Sequence, residues 1–225
     1  SGPDDRDPSS IPCDGMDFRK AALGQEKLSG RRVAYVGNIG GVIPLDQEVE
    51  KLVKEGAYAF EQLGCDVEEA CFDASDIQDI IMGTRGFGMV ARYADRYDKH
   101  KDLMTSQLIN QVSAALDLSV RDVVRSERLR TQYWHKVRRF MENFDYIVAP
   151  VVGAPPFRLD EPLPKQVGGV AVDRFQDVFL STYVFSVTGL PMISVPCGLT
   201  KDGRPVGMQI IARRHREDQA IEAAS

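Results

Sequence analysis

The stretch Phe185–Ile211 reads FSVTGLPMISVPCGLTKDGRPVGMQII, and its punctuation decides the fold. Pro191 and Pro196 bracket Met192–Val195. Proline has no N–H to offer a ladder, so it belongs at strand ends. The run between them is apolar apart from Ser194, which predicts a short strand buried on both faces. Gly198 ends that strand. Lys201-Asp202-Gly203-Arg204 is a reversal, because glycine adopts positive φ without steric cost. Pro205 opens a second strand, Val206–Ala212, and Gly207 inside it implies a bend or a close backbone approach. The two strands are expected to pair as a β-hairpin within a larger sheet.

Upstream, strands and helices alternate. Arg31–Val36 is a strand candidate ending at Gly37-Asn38-Ile39-Gly40-Gly41. That loop is not a phosphate cradle, since no Gly-Lys-Ser/Thr follows. Pro44 and Asp46 open a helix to Leu63, with Asp46 as N-cap and Gly64 closing its end. Cys65–Phe72 is the next strand, and strand–helix–strand predicts parallel pairing with a right-handed crossover. Asp76–Tyr97 reads as a helix broken near Met82-Gly83 and Arg85-Gly86-Phe87-Gly88. Gly86-x-Gly88-x-x-Ala91 matches a dinucleotide fingerprint in form only, because helix rather than strand precedes it.

Thr105–Leu116 and Ser119–Phe144 are two further helices, the second capped by Ser119 and Asp122. Its predicted buried face carries Val120, Val123, Val124, Leu129, Tyr133, Val137 and Phe140. Its arginines read as a solvated face, interrupted by Glu127 and Glu142, rather than as a nucleic-acid surface. Asp145–Val151 is a buried strand, Pro155–Gly169 a long loop, Asp173–Val187 a helix and His215–Ala224 a last helix. The expected fold class is α/β, a mixed β-sheet flanked by helices.

A chain of 225 residues, 43% hydrophobic and 27% charged, can bury a sizeable core as a single domain. A net charge of −5 with no strongly basic segment gives no reason to expect nucleic acid. Cys13, Cys65, Cys71 and Cys197 are scattered without a CxxC, which is neither a disulfide framework nor a zinc site. A reducing compartment, the cytoplasm, is therefore expected. No apolar run approaches the roughly 18 residues of a membrane span, and no signal peptide is visible. Residues 1–16 are linker-like, and Asp4, Asp5 and Asp7 lack the spacing of a calcium loop. Neither a metal nor an organic cofactor is expected.

Three groups of residues together resemble the C-terminal core of the amidase signature family. They are Thr188-Gly189-Leu190-Pro191, Ser194-Val195-Pro196-x-Gly198 and Gly203-x-Pro205-Val206-Gly207-x-Gln209-Ile210. Gly2-x-Asp4-x-x-Asp7-x-x-Ser10 is similar to a family segment that follows the catalytic region. The strand Asp145–Pro150 and the pair Ala154-Pro155 also match. Many relatives carry Thr at the position of Val151 and Asn at that of Ser186.

The resemblance implies hydrolysis of amide C–N bonds through an acyl-enzyme. A serine nucleophile is activated by a second serine in a cis peptide and by a lysine, and glycine-rich backbone holds the oxyanion. The Gly-Gly-Ser-Ser-Gly-Gly type loop that carries this chemistry is not in the sequence, and Ser9-Ser10 lies between proline and isoleucine. No catalytic residue is therefore assigned. The chain is expected to be the C-terminal portion of an amidase without its catalytic half, inactive alone, with residue 1 downstream of the catalytic machinery.

Candidate substrate-contacting residues are Val151, Val152 and Gly153, after one strand, and Thr188 and Gly189, before another; each could equally serve only to pack the sheet. A small amide is the expected substrate, and a truncated sheet is expected to self-associate. Two alternatives stand beside this reading: a glutamyl-tRNA amidotransferase A-type subunit, and a non-catalytic binding module that kept the family core. A Cys197–His215 thiol dyad is a weaker option still, since a buried cysteine after a strand is commonplace.

Overall fold

The computed structural model describes residues 3–12, 15–24, 28–160 and 162–225. Gly2 and Cys13 of the sequence reading lie outside these. Strand β1 is Arg32–Tyr35, β2 is Asp66–Glu69, β3 is Tyr146–Pro150, β6 is Met192–Leu199 and β7 is Pro205–Ala212. They form one sheet in the order β2-β1-β3-β7-β6. β1 is parallel to both β2 and β3, whereas β7 is antiparallel to β3 and β6. The sheet is thus mixed, and the parallel side follows from the predicted crossover. A separate two-stranded ribbon, β4 (Gln166–Val167) and β5 (Val170–Ala171), ends the stretch expected to be all loop.

Alternation along the strands builds two cores. Ala34, Ile147, Ala149 and Ile211 face one way, against α3 (Ile77–His100), α5 (Val120–Phe140) and α7 (Leu180–Ser186). Val33, Tyr35, Tyr146, Val148 and Ile210 face the other way, against α2 (Gln47–Tyr58) and α8 (Glu217–Glu222). Every residue of β3 is buried, as a strand covered on both faces and paired on both edges must be. The remaining helices are α1 (Phe18–Ala21), α4 (Ser106–Leu116) and α6 (Phe175–Val178).

The predicted caps are present. The Asp46 carboxylate accepts from the N–H groups of Glu48 and Val49, and Gly64 closes the following 3-10 turn at φ 82°. Ser119 and Asp122 form a reciprocal capping box at the start of α5. Within the segment read as linker-like, residues 4–10 form a closed turn. Asp4 N–H donates to Ser10 Oγ at 2.8 Å, and that hydroxyl donates to Asp7 O at 2.7 Å.

Several expectations are corrected. β6 does not end at Gly198 and is not buried on both faces: it runs through Pro196 and Gly198 to Leu199, with Ser194, Pro196 and Leu199 exposed. It is an edge strand, where a missing N–H faces no neighbour, and a register shift between Pro196 and Gly198 absorbs the irregularity. The Asp173–Val187 helix is two pieces, α6 and α7, divided at Phe179. Val120 and Val124 are exposed, 80% and 44%, because the first turns of α5 set their Asp122 and Ser126 side, not their valines, against Gly83 of α3; only Tyr133 and Val137 of the predicted face are fully buried.

α3 is unbroken through all its glycines. Their role is close packing: a Cβ on Gly83 would collide with Ser126 Oγ, and one on Gly86 would collide with Leu118 Cδ1. A Cβ on Gly88 would meet nothing within 4 Å. The same substitution should therefore act with opposite signs at neighbouring turns. Gly88→Ala is expected to stabilise by about 0.5–1 kcal/mol through helix propensity. Gly83→Ala is expected to destabilise by about 1–3 kcal/mol through overpacking, with Ser126→Gly restoring part of the loss. Urea midpoints of the three variants check this.

Tyr146 presents the opposite problem. Its ring is fully buried, and its hydroxyl has no hydrogen-bond partner among the described residues. Burial pushes the phenol up to about 12, from an ordinary value of about 10. The unfolded chain therefore loses this proton first, so the contribution is intact below pH ~10 and is lost as pH rises toward 12. Tyr146→Phe is expected to leave neutral-pH stability unchanged or raised, and to flatten the decline between those pH values. Denaturant titrations at pH 8 and pH 11 measure both effects.

Candidate functional site

A cleft of about 490 Å³ opens where β3 ends, bounded by Val151, Val152, the segment 154–157, Phe179 and the facing hairpin segments 194–196 and 205–207. Its shape is set by backbone hydrogen bonds rather than by the side chains that line it. Gln209 in β7 is 3% exposed, and its amide nitrogen donates to Pro150 O at 2.9 Å and to Ser181 O at 3.1 Å. The Ser181 and Thr182 hydroxyls both donate to Val151 O, at 2.7 and 2.8 Å. Val151 N–H donates to Gly207 O, and Asp46 N–H donates to Gly153 O at 2.8 Å. Arg204 Nη1 reaches over to Pro156 O. The carbonyls of Val151, Gly153 and Pro156 thus each meet a specific donor, as partly buried backbone requires.

The candidate residues divide. Val151 and Val152 line the cleft. Gly153 is buried behind it: a Cβ there would collide with Pro44 O, so the glycine admits the segment before α2. Thr188 and Gly189 are not among the lining residues. Thr188 Oγ1 donates to Phe185 O at 2.6 Å and accepts from Leu190 N–H, while Gly189 turns the chain at φ 69°. These two shape the entry to β6. Ser186, where relatives carry Asn, is exposed and bonds back to Thr182 O at 2.6 Å.

Sequence reading missed the Ser181–Thr182–Gln209 cluster and the aromatic walls Phe157 and Phe179. The signal was there: a glutamine inside an apolar strand must find partners, and a Ser-Thr pair starting a helix can supply donors.

No lining residue of the cleft is titratable. Ser194 is its one side-chain hydroxyl, with no base beside it, so it is an ordinary alcohol. Cys197 faces α2 rather than the cleft. Its thiol donates to Val206 O, its Cβ lies 3.1 Å from where a side chain on Gly56 would begin, and burial pushes its pKa up. That environment keeps a thiol protonated and gives the imagined dyad with His215 no support. Among the described residues, no group of three or more His, Cys, Asp or Glu side chains could hold a metal ion. No helix among them is long and apolar enough to cross a membrane. The cleft can bind and orient an apolar or aromatic group; it offers no acid, base or activated nucleophile.

Comparison with known proteins gives this arrangement a family. The amidase family model matches residues 1–221. The chain belongs to the amidase signature family. An acylamidase of Rhodococcus erythropolis is 30% identical over 231 residues, covering 100% of this chain and 47% of its own length. The A subunit of the glutamyl-tRNA(Gln) amidotransferase of Desulforapulum autotrophicum is 27% identical, with 99% of this chain and 50% of its own covered. Among solved structures, a bacterial aryl acylamidase of the amidase signature family superposes with a TM-score of 0.85 at 27% identity, over 99% of this chain and 47% of that one. A 6-aminohexanoate cyclic dimer hydrolase shares the fold, with a TM-score of 0.77 at 22% identity, over 100% of this chain and 49% of that one. The chain spans about half the length of the curated relatives it matches.

The amidase motif residues fall where the cleft is built: Gln209 is its polar anchor, Gly207 and Ser194 lie on its wall, and Pro205 opens the strand beside it. Gln209→Met keeps the volume but leaves Pro150 O and Ser181 O without their donor. It is expected to cost about 1–3 kcal/mol, through loss of the side-chain donor the two buried carbonyls share. Gln209→Glu is also expected to be destabilising, because a buried carboxylate cannot donate to either carbonyl unless it takes up a proton. Chemical denaturation of both variants is the check.

Proposed function

We propose that this chain is the C-terminal half of an amidase that hydrolyses carboxamide C–N bonds through an acyl-enzyme. In this reading the two serines and the lysine of the chemistry lie in the other half. The observation that carries it is the cleft at the end of β3. It is a fixed apolar wall without a nucleophile–base pair, in a chain that covers about half the length of its relatives. Binding surface is present and chemistry is not, which is the division expected of one half of a composite site. Val151 and Val152 would touch the substrate. Gly153, Thr188 and Gly189 would hold the surrounding turns. Neither metal nor organic cofactor is needed, since serine activated by its neighbours supplies the nucleophile.

The acylamidase relative favours a small or aryl amide over glutamine as the substrate. The amidotransferase reading rests on several relatives of that type at lower identity. It differs in requiring an ammonia acceptor and a partner subunit.

The test uses the whole protein and the 225-residue chain, with an anilide and glutamine as substrates. The whole protein should hydrolyse an acetanilide without a partner, and the 225-residue chain alone should not. Val152→Trp in the whole protein should raise KM for the anilide more than it lowers kcat, because it narrows a binding wall. Glutaminase activity appearing only with a partner subunit would move the assignment to the amidotransferase. Turnover by the isolated chain that disappears in Ser194→Ala or Cys197→Ala would overturn the proposal.

A further inference from the structure

The cleft at the end of β3 has one wall that is fastened differently from the rest. Val151 is held by Gly207, Ser181 and Thr182, and Gly153 by Asp46. Beyond Ala154 the chain reads Pro155-Pro156-Phe157. Two of these three residues have no N–H to give, so the segment is tied mainly through its carbonyls. Among the described residues, one hydrogen bond joins it to another part of the molecule. Arg204 Nη1 donates to Pro156 O at 2.6 Å. Phe157 follows directly; it lines the cleft and is 39% exposed.

The hairpin turn aims Arg204 at that carbonyl. Arg204 Nε lies 2.7 Å from Asp202 Oδ2. The buried Thr200 hydroxyl donates to Asp202 Oδ1 and accepts from Arg204 N–H at 2.9 Å. Gly203 reverses the chain between the two charged residues at φ 81°. The turn is in turn tied to the start of α2, because Lys201 N–H donates to Glu48 Oε1 at 2.7 Å. Two residues earlier, Asp46 N–H holds Gly153 O. The wall is thus gripped at Gly153 and at Pro156 by parts of the molecule that meet at the first turn of α2. A guanidinium suits this task, since its planar fork serves a carboxylate and a carbonyl from different nitrogens. Arg204 is not itself a lining residue of the cleft, so whatever it does there it does through Pro156.

We propose that Arg204 is a positioning residue that sets the preference of the cleft for aryl groups, by latching the Pro155–Phe157 wall so that the Phe157 ring is held against the substrate. The proposal rests on the amidase reading, in which this cleft takes one side of the amide. An aromatic wall recognises a second ring through a specific relative geometry, which a wandering ring does not supply. A short alkyl group asks no such geometry of it. With the latch removed, Val151 and Gly153 keep their own hydrogen bonds, and only the outer wall is freed.

The whole protein is assayed with acetanilide and with propionamide, which has no ring. Arg204→Met should raise KM for acetanilide about threefold to tenfold, leave kcat within about twofold, and leave both constants for propionamide nearly unchanged. Arg204→Lys, whose ammonium lacks the fork, should fall between, and it serves alone should the methionine variant not fold. With Phe157→Ala already in place, Arg204→Met should add almost nothing to KM, because the two residues act through one wall. A readout without turnover runs beside these: hydrogen exchange of Phe157–Asp160 should quicken about tenfold in Arg204→Met, while that of β3 stays unchanged. If the unaltered protein hydrolysed neither amide, the amidase reading would fail, and exchange together with calorimetric titration of acetanilide would decide the role of Arg204. Unchanged exchange, equal effects on the two amides, or effects of Arg204→Met and Phe157→Ala that simply add would each overturn the proposal.

Discussion

A single buried amide ties the structure together. Gln209 sits inside the sheet where hydrocarbon is expected, and a primary amide cannot stay there without partners. Its nitrogen has two, one on the last residue of β3 and one on α7. The central strand, the hairpin that closes the sheet and the helix above them are thereby held in one relative position. A one-residue slip of β7 against β3 would carry Gln209 to the opposite face and take its donor away from both carbonyls. Register here is thus fixed by polar satisfaction as well as by the alternation of apolar residues.

The two sides of the sheet carry different burdens. On the parallel side, β1 and β3 are covered above and below by helices, and their side chains are almost wholly buried. On the hairpin side, β6 ends the sheet with part of its length open. Pro191, Pro196 and a shift in register lie along that edge. A missing N–H and a bulge both discourage pairing with a stray strand, so these features protect an edge that apolar residues would otherwise make adhesive. At the far edge, β2 achieves the same with charge, as Asp66, Glu68 and Glu69 are exposed.

The legible part of the sequence was local. Asp46, Gly64, Ser119 and the Asp202-Gly203 turn act through neighbours a few residues away, and each does what its type predicts. Strands β1, β3 and β7 were legible because burial on both faces leaves few residue types to choose from. What could not be read depends on residues distant in the chain. Gly83 and Gly86 have the composition of helix breakers, yet they are required because Ser126 and Leu118 arrive against them. Val120 and Val124 keep helical spacing but lie off the side of α5 that meets Gly83 of α3. The cleft was half legible. Val151 and Val152 follow from the rule that ligands lie beyond strand ends. Ser181 and Thr182 escape it, because their partner carbonyl is about 30 residues back.

The way the cleft is fastened bears on how it can change. The hydrogen bonds that fix Val151–Pro156 end on backbone carbonyl or N–H groups of that segment. The side chains of Val151, Val152 and Phe157 are hydrocarbon and take no part in them. Those side chains can therefore vary in size without loosening the turn that presents them. Productive chemistry demands that reacting atoms be held within a fraction of an ångström, whereas specificity demands that the wall be remodelled freely. A wall anchored through its main chain meets both demands. It also explains why the motif residues of this region are glycines, prolines and a glutamine. They specify where the backbone runs, and they leave open what the cleft will hold.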